Sequence, residues 1–167
     1  FEPRPSEEFY DNFKDFHNVD NQIDDPLHQT KIKELKKELR RQQLKYFDSG
    51  LMPEEMRNRI IKEKKTTVYA FVRDPKLYPL AKYLDYADLA LTRNKKKLKI
   101  LTKGLSSKDS VIRYWSVVGL LLLEKDAKPA ISALKKALDD SDEIPALAAW
   151  AIYKAGDKAF AEKWMLE

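Results

Sequence analysis

Two histidines, four large aromatic residues and two pairs of adjacent aspartates are the residues of this chain whose types could do chemistry. His17 and His28 are the only groups with an ordinary pKa near neutrality. Neither stands at a spacing that supplies a Ser, Cys or carboxylate partner, so no acid–base or nucleophilic constellation is readable around them. His17 reads as a turn residue, and His28 as an exposed residue at a helix start. Asp24-Asp25 and Asp139-Asp140 have the look of metal-binding carboxylate pairs, but each precedes a helical stretch, where a carboxylate caps free N–H groups. Tyr114, Trp115, Trp150 and Trp164 could stack on sugar rings; at helical spacing they fit a core first. The absence of cysteine removes disulfides, thiolate-bound zinc and a thiol nucleophile. No catalytic, cofactor-binding or metal-ligating residue is therefore assigned.

The charge balance adds one further possibility. With 32 Lys and Arg against 27 Asp and Glu, the chain carries +5. Acids are interspersed with most of the bases, which fits a solvated surface; the sharper alternative is a sulfate- or phosphate-rich polyanion as partner. The longest apolar run, Val117 to Leu123, is too short to span a bilayer, so no membrane partner is expected. No nucleic-acid motif is present. The first residues, Phe1-Glu2-Pro3-Arg4-Pro5, lack the basic-then-apolar pattern of a signal peptide.

The elements that must position these residues are mostly helices. Only 4 of 167 residues are Gly, and Lys, Leu, Ala and Glu abound. Residues 1–26 read as irregular chain with one short strand at Glu8-Phe9-Tyr10-Asp11. A long helix follows, from Pro26 or Leu27 to about Phe47. Ile32, Leu35, Leu39, Gln42 and Tyr46 lie on one face, and Lys33, Lys36, Lys37, Arg40 and Arg41 on the other. Gly50 is the expected left-handed stop. Pro53 opens a short helix, and Thr66 to Val72 reads as an irregular or helical linker. From Pro79 onward helices and turns alternate.

The last 70 or so residues match themselves at a step of 33. Leu98, Leu101, Leu105, Asp109, Val111 and Ser116 fall on Ile131, Leu134, Leu138, Asp142, Ile144 and Ala149. Helix hairpins at this period stack, because one hairpin cannot bury its own apolar face. Leu105 to Ser116 resembles a HEAT repeat, with Arg113 at that family's Arg position and expected to cap the loop with Asp109. The second unit departs, with Pro145-Ala146 where the Arg would stand. The expected fold is mainly α: HEAT-like hairpins in a right-handed superhelix behind a short β or irregular N-terminal segment.

A wider resemblance joins both halves. Glu7-Glu8-Phe9-Tyr10-Asp11, then Lys14 to Asn21, Asp24-Asp25-Pro26, the basic helix, and Asp48-Ser49-Gly50-Leu51-Met52-Pro53-Glu54 follow the order seen near the end of bacterial sulfatases of the heparan-N-sulfatase-like group. Tyr78-Pro79-Leu80, Ala87-Asp88-Leu89-Ala90 and Arg113-Tyr114-Trp115 ahead of Gly119-Leu120-Leu121 resemble those proteins' helical extension. Phe16 stands where Pro is usual, and Gln22-Ile23 alters the usual Leu. The resemblance implies that residues 1–50 end the enzyme's smaller C-terminal subdomain, 51–77 link, and 78–167 form the extension. For the parent protein it implies hydrolysis of sulfate esters or sulfamates, a periplasmic or extracellular place, and a site built on formylglycine and calcium. The formylglycine motif C/S-x-P-x-R is absent here, so the chain alone is expected to be non-catalytic. Its partners would be the rest of the parent chain and a sulfated glycan; the alternative is a free-standing helical interaction module.

Overall fold

The computed structural model describes residues 5–141 and 143–166. Phe1 to Arg4, Asp142 of the repeat, and Glu167 lie outside the described residues. Among those described the protein is mainly α, with nine α-helices and no strand. The chain divides into two compact units, residues 1–47 and 48–167.

The first unit is an irregular segment followed by one long helix, α1 (Gln29–Tyr46). The expected strand at Glu8 to Asp11 does not form. The Phe9 N–H donates to the Asn21 side-chain Oδ1 at 2.9 Å, and the Phe9 carbonyl accepts from the Gln22 N–H at 2.8 Å. The Asn21 amide also donates to the Glu7 carbonyl at 3.3 Å. A side chain thus satisfies the backbone that a neighbouring strand would have satisfied, and no ladder is needed. Asp25 caps the entry turn Pro26–His28 by accepting from the Leu27 N–H. The left-handed stop after α1 is Phe47 (φ 56°) rather than Gly50, which has no positive φ.

The second unit holds the other eight helices: α2 (Glu54–Glu63), α3 (Val68–Arg73), α4 (Leu80–Leu91), α5 (Leu98–Gly104), α6 (Ser110–Leu122), α7 (Ile131–Lys136), α8 (Ile144–Ala155) and α9 (Lys158–Leu166). Thr67 opens α3 by accepting from the Ala70 N–H, so the β-branched run is helical. The segment expected to be a linker, 51–77, supplies Leu51, Met52, Met56, Phe71 and Val72 to the buried core. It is held there by polar anchors as well. The Trp115 indole N–H donates to the Leu51 carbonyl at 2.8 Å, and the Tyr78 hydroxyl to the Asp48 carbonyl at 2.7 Å.

α6 is the centre of this unit and packs against α4, α5 and α8; α8 packs in turn against α7 and α9. Small residues permit the close approach. A Cβ at Gly119 would sit 2.7 Å from Leu101 Cδ2 and 3.1 Å from the Ala90 backbone. A Cβ at Gly104 would overlap the Ser116 side chain, whose buried hydroxyl bonds back to the Ile112 carbonyl at 2.7 Å. The two sequence-detected pairs, α5 with α6 and α7 with α8, therefore meet through their apolar repeat positions: Leu101, Leu105, Val111, Leu134 and Ile144 are all buried.

Helix ends in this unit use few glycines. Lys65, Arg93 and Glu124 take left-handed conformations just beyond α2, α4 and α6, and among the described residues only α8 stops on a glycine, Gly156. Each non-glycine stop costs about 1 kcal/mol that packing must offset.

Candidate functional site

Three features of the surface could meet a partner: the apolar side of α1, the junction between the two hairpins, and a groove beside α5. The first is apolar. α1 buries only Ile32 of its expected stripe. Leu35 (51%), Leu39 (60%) and Tyr46 (66%) remain exposed on the same side, although their spacing marks them for packing. Phe13, Phe16, Val19 and Leu27 in the preceding irregular segment are more exposed still. Scattered apolar residues are ordinary on a surface; this many large ones in 47 residues are not.

The opposite face of α1 is strongly basic and partly paired. Lys31 pairs with Glu34, Arg41 with Glu38, and Lys36 with Glu7. The Arg41 hydrogen bonds, followed by that from Gln42, lower the Glu38 carboxyl to about 2.

At the hairpin junction the expected Arg113–Asp109 cap is replaced by a longer connection. Arg113 Nε donates to Asp140 Oδ2 at 2.5 Å and Nη2 to Oδ1 at 2.9 Å, a bidentate pair between α6 and the turn before α8. Its Nη1 also donates to the Ser107 carbonyl at 2.9 Å. Both side chains are mostly buried, at 18% and 15% exposure. Burial works to raise the Asp140 carboxyl, but hydrogen bonds from Arg113 and the Ser141 N–H outweigh it and hold the group below the ordinary carboxylate range. Asp109 is left to cap α6 through the Val111 N–H at 3.0 Å. Burial, followed by the Asp109 charge, pushes the neighbouring Tyr83 phenol upward. The Asp139-to-Asp142 cap signal is therefore used differently from expectation. Asp140 serves Arg113, no side chain caps α8 at Glu143, and Pro145 in the first turn of α8 has no N–H to satisfy.

The other singled-out residues stay apart from one another. His17 is exposed with its ring edge-on to Phe16. His28 is half-buried, not exposed, because its ring packs 5.2 Å from that of Phe9. Trp115 is anchored to Leu51, with Tyr114 edge-on against it at 5.5 Å. Trp150 is half-exposed on α8 and Trp164 lies on α9. Asp25 is a cap and Asp140 an ion-pair partner. Among the described residues no three His, Asp or Glu side chains gather as a metal-binding group, and no helix is long and apolar enough to cross a membrane. The formylglycine of the resemblance finds no fitting residue here, since the chain has no Cys and no Ser in the required setting; of the two Asp pairs, Asp25 caps a turn and Asp140 is held by Arg113.

The third feature was not visible as a site in the sequence. A groove of ≈ 1060 Å³ runs beside α5 and α7 in the second unit. Lys95, Lys96, Lys99, Lys103 and Lys136 line it, and all five are exposed. The signal that could have found it is a charge run without acids. Residues 89–108 contain seven Lys or Arg and no Asp or Glu.

Compared with known protein families, characterised proteins and solved structures, the chain matches none of them.

Proposed function

We propose that this chain is the non-catalytic C-terminal part of a sulfatase-like protein, acting in stability or interaction. Residues 1–47 would close the smaller subdomain of the enzyme, and residues 48–167 would form a HEAT-like helical extension. The observation that carries this reading is the uncovered apolar stripe of α1, at Leu35, Leu39 and Tyr46. A helix with that periodicity ordinarily packs its stripe, so further protein surface is expected to cover it. The ordered resemblance of residues 7–54 supports the same reading, because it implies a preceding sulfatase domain as the covering surface. Phe9 and Tyr10 in the same segment are half-buried rather than fully buried, Phe9 in part by His28.

In the parent protein the reaction would be hydrolysis of a sulfate ester or sulfamate on a sulfated glycan, outside the cytoplasm. Formylglycine and calcium would be supplied by upstream residues. The test is the coding sequence upstream of Phe1. A C/S-x-P-x-R motif followed by a sulfatase-length domain is the expected result, and an upstream sequence without it rejects the reading. Hydrolysis of an aryl sulfate by these 167 residues alone would also reject it.

A second reading, a free-standing HEAT-like interaction module, is favoured by the second unit. It has a continuous core of its own and the Arg113–Asp140 pair joining successive hairpins.

A further inference from the structure

We infer that the lysine-lined groove beside α5 and α7 is a binding site for a sulfated glycan chain. The inference deepens the sulfatase reading, on which the choice of a glycan over another polyanion partly rests. The groove itself is argued from its own residues.

Its charge is concentrated, with five lysines set against the exposed Asp139 and the Arg113-paired Asp140. The stretch 89–108 holds seven cations and no acid, while the whole chain carries only +5, so the remaining residues are net acidic. Lys95, Lys96, Lys99 and Lys103 recur at three- and four-residue steps and lie along one side of the turn Lys95–Lys97 and α5. Like charges at such steps weaken a helix. On α1, Lys31, Arg41 and Lys36 are paired with Glu34, Glu38 and Glu7. No ion pair among the described residues engages these four lysines or Lys136 across the groove on α7. A cluster held in repulsion inside a concavity focuses its field on an anion entering the groove.

The remaining lining selects among polyanions. Ser106 and Ser132 present exposed hydroxyls, and Asp139 an exposed carboxylate. A carboxylate repels phosphate or sulfate, yet it accepts hydrogen bonds from sugar hydroxyls, which a polyhydroxylated chain offers between its sulfates. No aromatic side chain lines the groove, so it lacks the stacking platform on which single-stranded nucleic acid binds. Its concavity fits a chain rather than a membrane surface.

The test is titration of the 167-residue protein with a heparin octasaccharide at low and moderate salt, beside a fully desulfated octasaccharide, a single-stranded DNA of similar charge, and phosphatidylserine vesicles. The expected result is saturable binding to heparin that weakens with salt, little binding to the desulfated chain, and weaker binding to DNA and vesicles. The double variant Lys99→Gln/Lys103→Gln should bind about 10-fold more weakly. Lys82→Gln/Lys125→Gln, with the same charge change outside the groove, should bind as the parent does. All four positions are exposed, and unchanged far-UV circular dichroism verifies the fold. No binding to heparin, equal losses in both double variants, or a preference for DNA or vesicles would each overturn the inference. Failure here alongside an upstream C/S-x-P-x-R motif defeats the groove alone. Heparin binding without that motif defeats the sulfatase reading and leaves the groove.

Discussion

The two units solve the same problem in opposite ways. Both contain amphipathic helices, but the second unit buries its apolar positions against one another, and the first leaves most of its stripe in water. On α6 Val111, Ile112, Val117 and Leu120 are buried; on α1 Ile32 alone is. The difference teaches that a 3.6-residue apolar period states which face a helix intends to bury and says nothing of where the partner lies. For the second unit the partner is within the chain. For the first it is proposed to lie elsewhere in a larger protein.

That contrast can be broken by substitution. The largest effect is expected in the core of the second unit. Leu120→Ala removes a fully buried side chain and should destabilise by about 3 kcal/mol in denaturant unfolding. A loss below 1 kcal/mol would show that α6 is not the centre of that unit.

The hairpin junction comes next. Arg113→Met leaves Asp140 without its bidentate donor in a mostly buried place, and should cost about 2 kcal/mol. Asp140→Asn should cost a similar amount, and the double variant less than the sum.

A smaller effect has a definite pH sign. The folded Asp140 carboxyl lies below its ordinary value of 3.8. Its ionised form is therefore favoured by folding. The contribution is present in full well above pH 3.8 and is lost as the pH falls through 3.8 toward the lower folded value. The Tm difference between the parent and Asp140→Asn should be constant near neutrality and shrink below about pH 4.

The smallest effect belongs to the first unit. Leu39→Gln should alter stability by less than about 0.5 kcal/mol in this chain, because the side chain is already in water. A cost of 2 kcal/mol or more would mean that the stripe is packed in solution and would remove the asymmetry.

Legibility followed the range of the interaction. Helix positions rest on local signals, and the expected short helix after Pro53 and the alternation of helices and turns beyond Pro79 are both present. The step of 33 placed Leu101 with Leu134 and Val111 with Ile144, and all four are buried. The strand at residues 8–11 was misread because its aromatics satisfy strand propensity, while the Asn21 side chain, twelve residues from Phe9, decides the backbone pairing. Arg113 was given the nearest acid, Asp109; the tertiary fold instead brings Asp140, 27 residues away, into bidentate reach. The lysine groove was missed because overall charge conceals distribution. Its lining gathers Lys136 to the α5 lysines only after the hairpins have paired.

We propose that a preceding domain covers the apolar stripe of α1. Amide hydrogen exchange across α1 tests this directly, in the 167-residue chain and in the longer protein encoded with its upstream sequence. The account predicts that the amides around Leu35, Leu39 and Tyr46 exchange fast in the shorter chain and become strongly protected in the longer one, with α6 and α8 unchanged. Equal exchange of α1 in both proteins would contradict it.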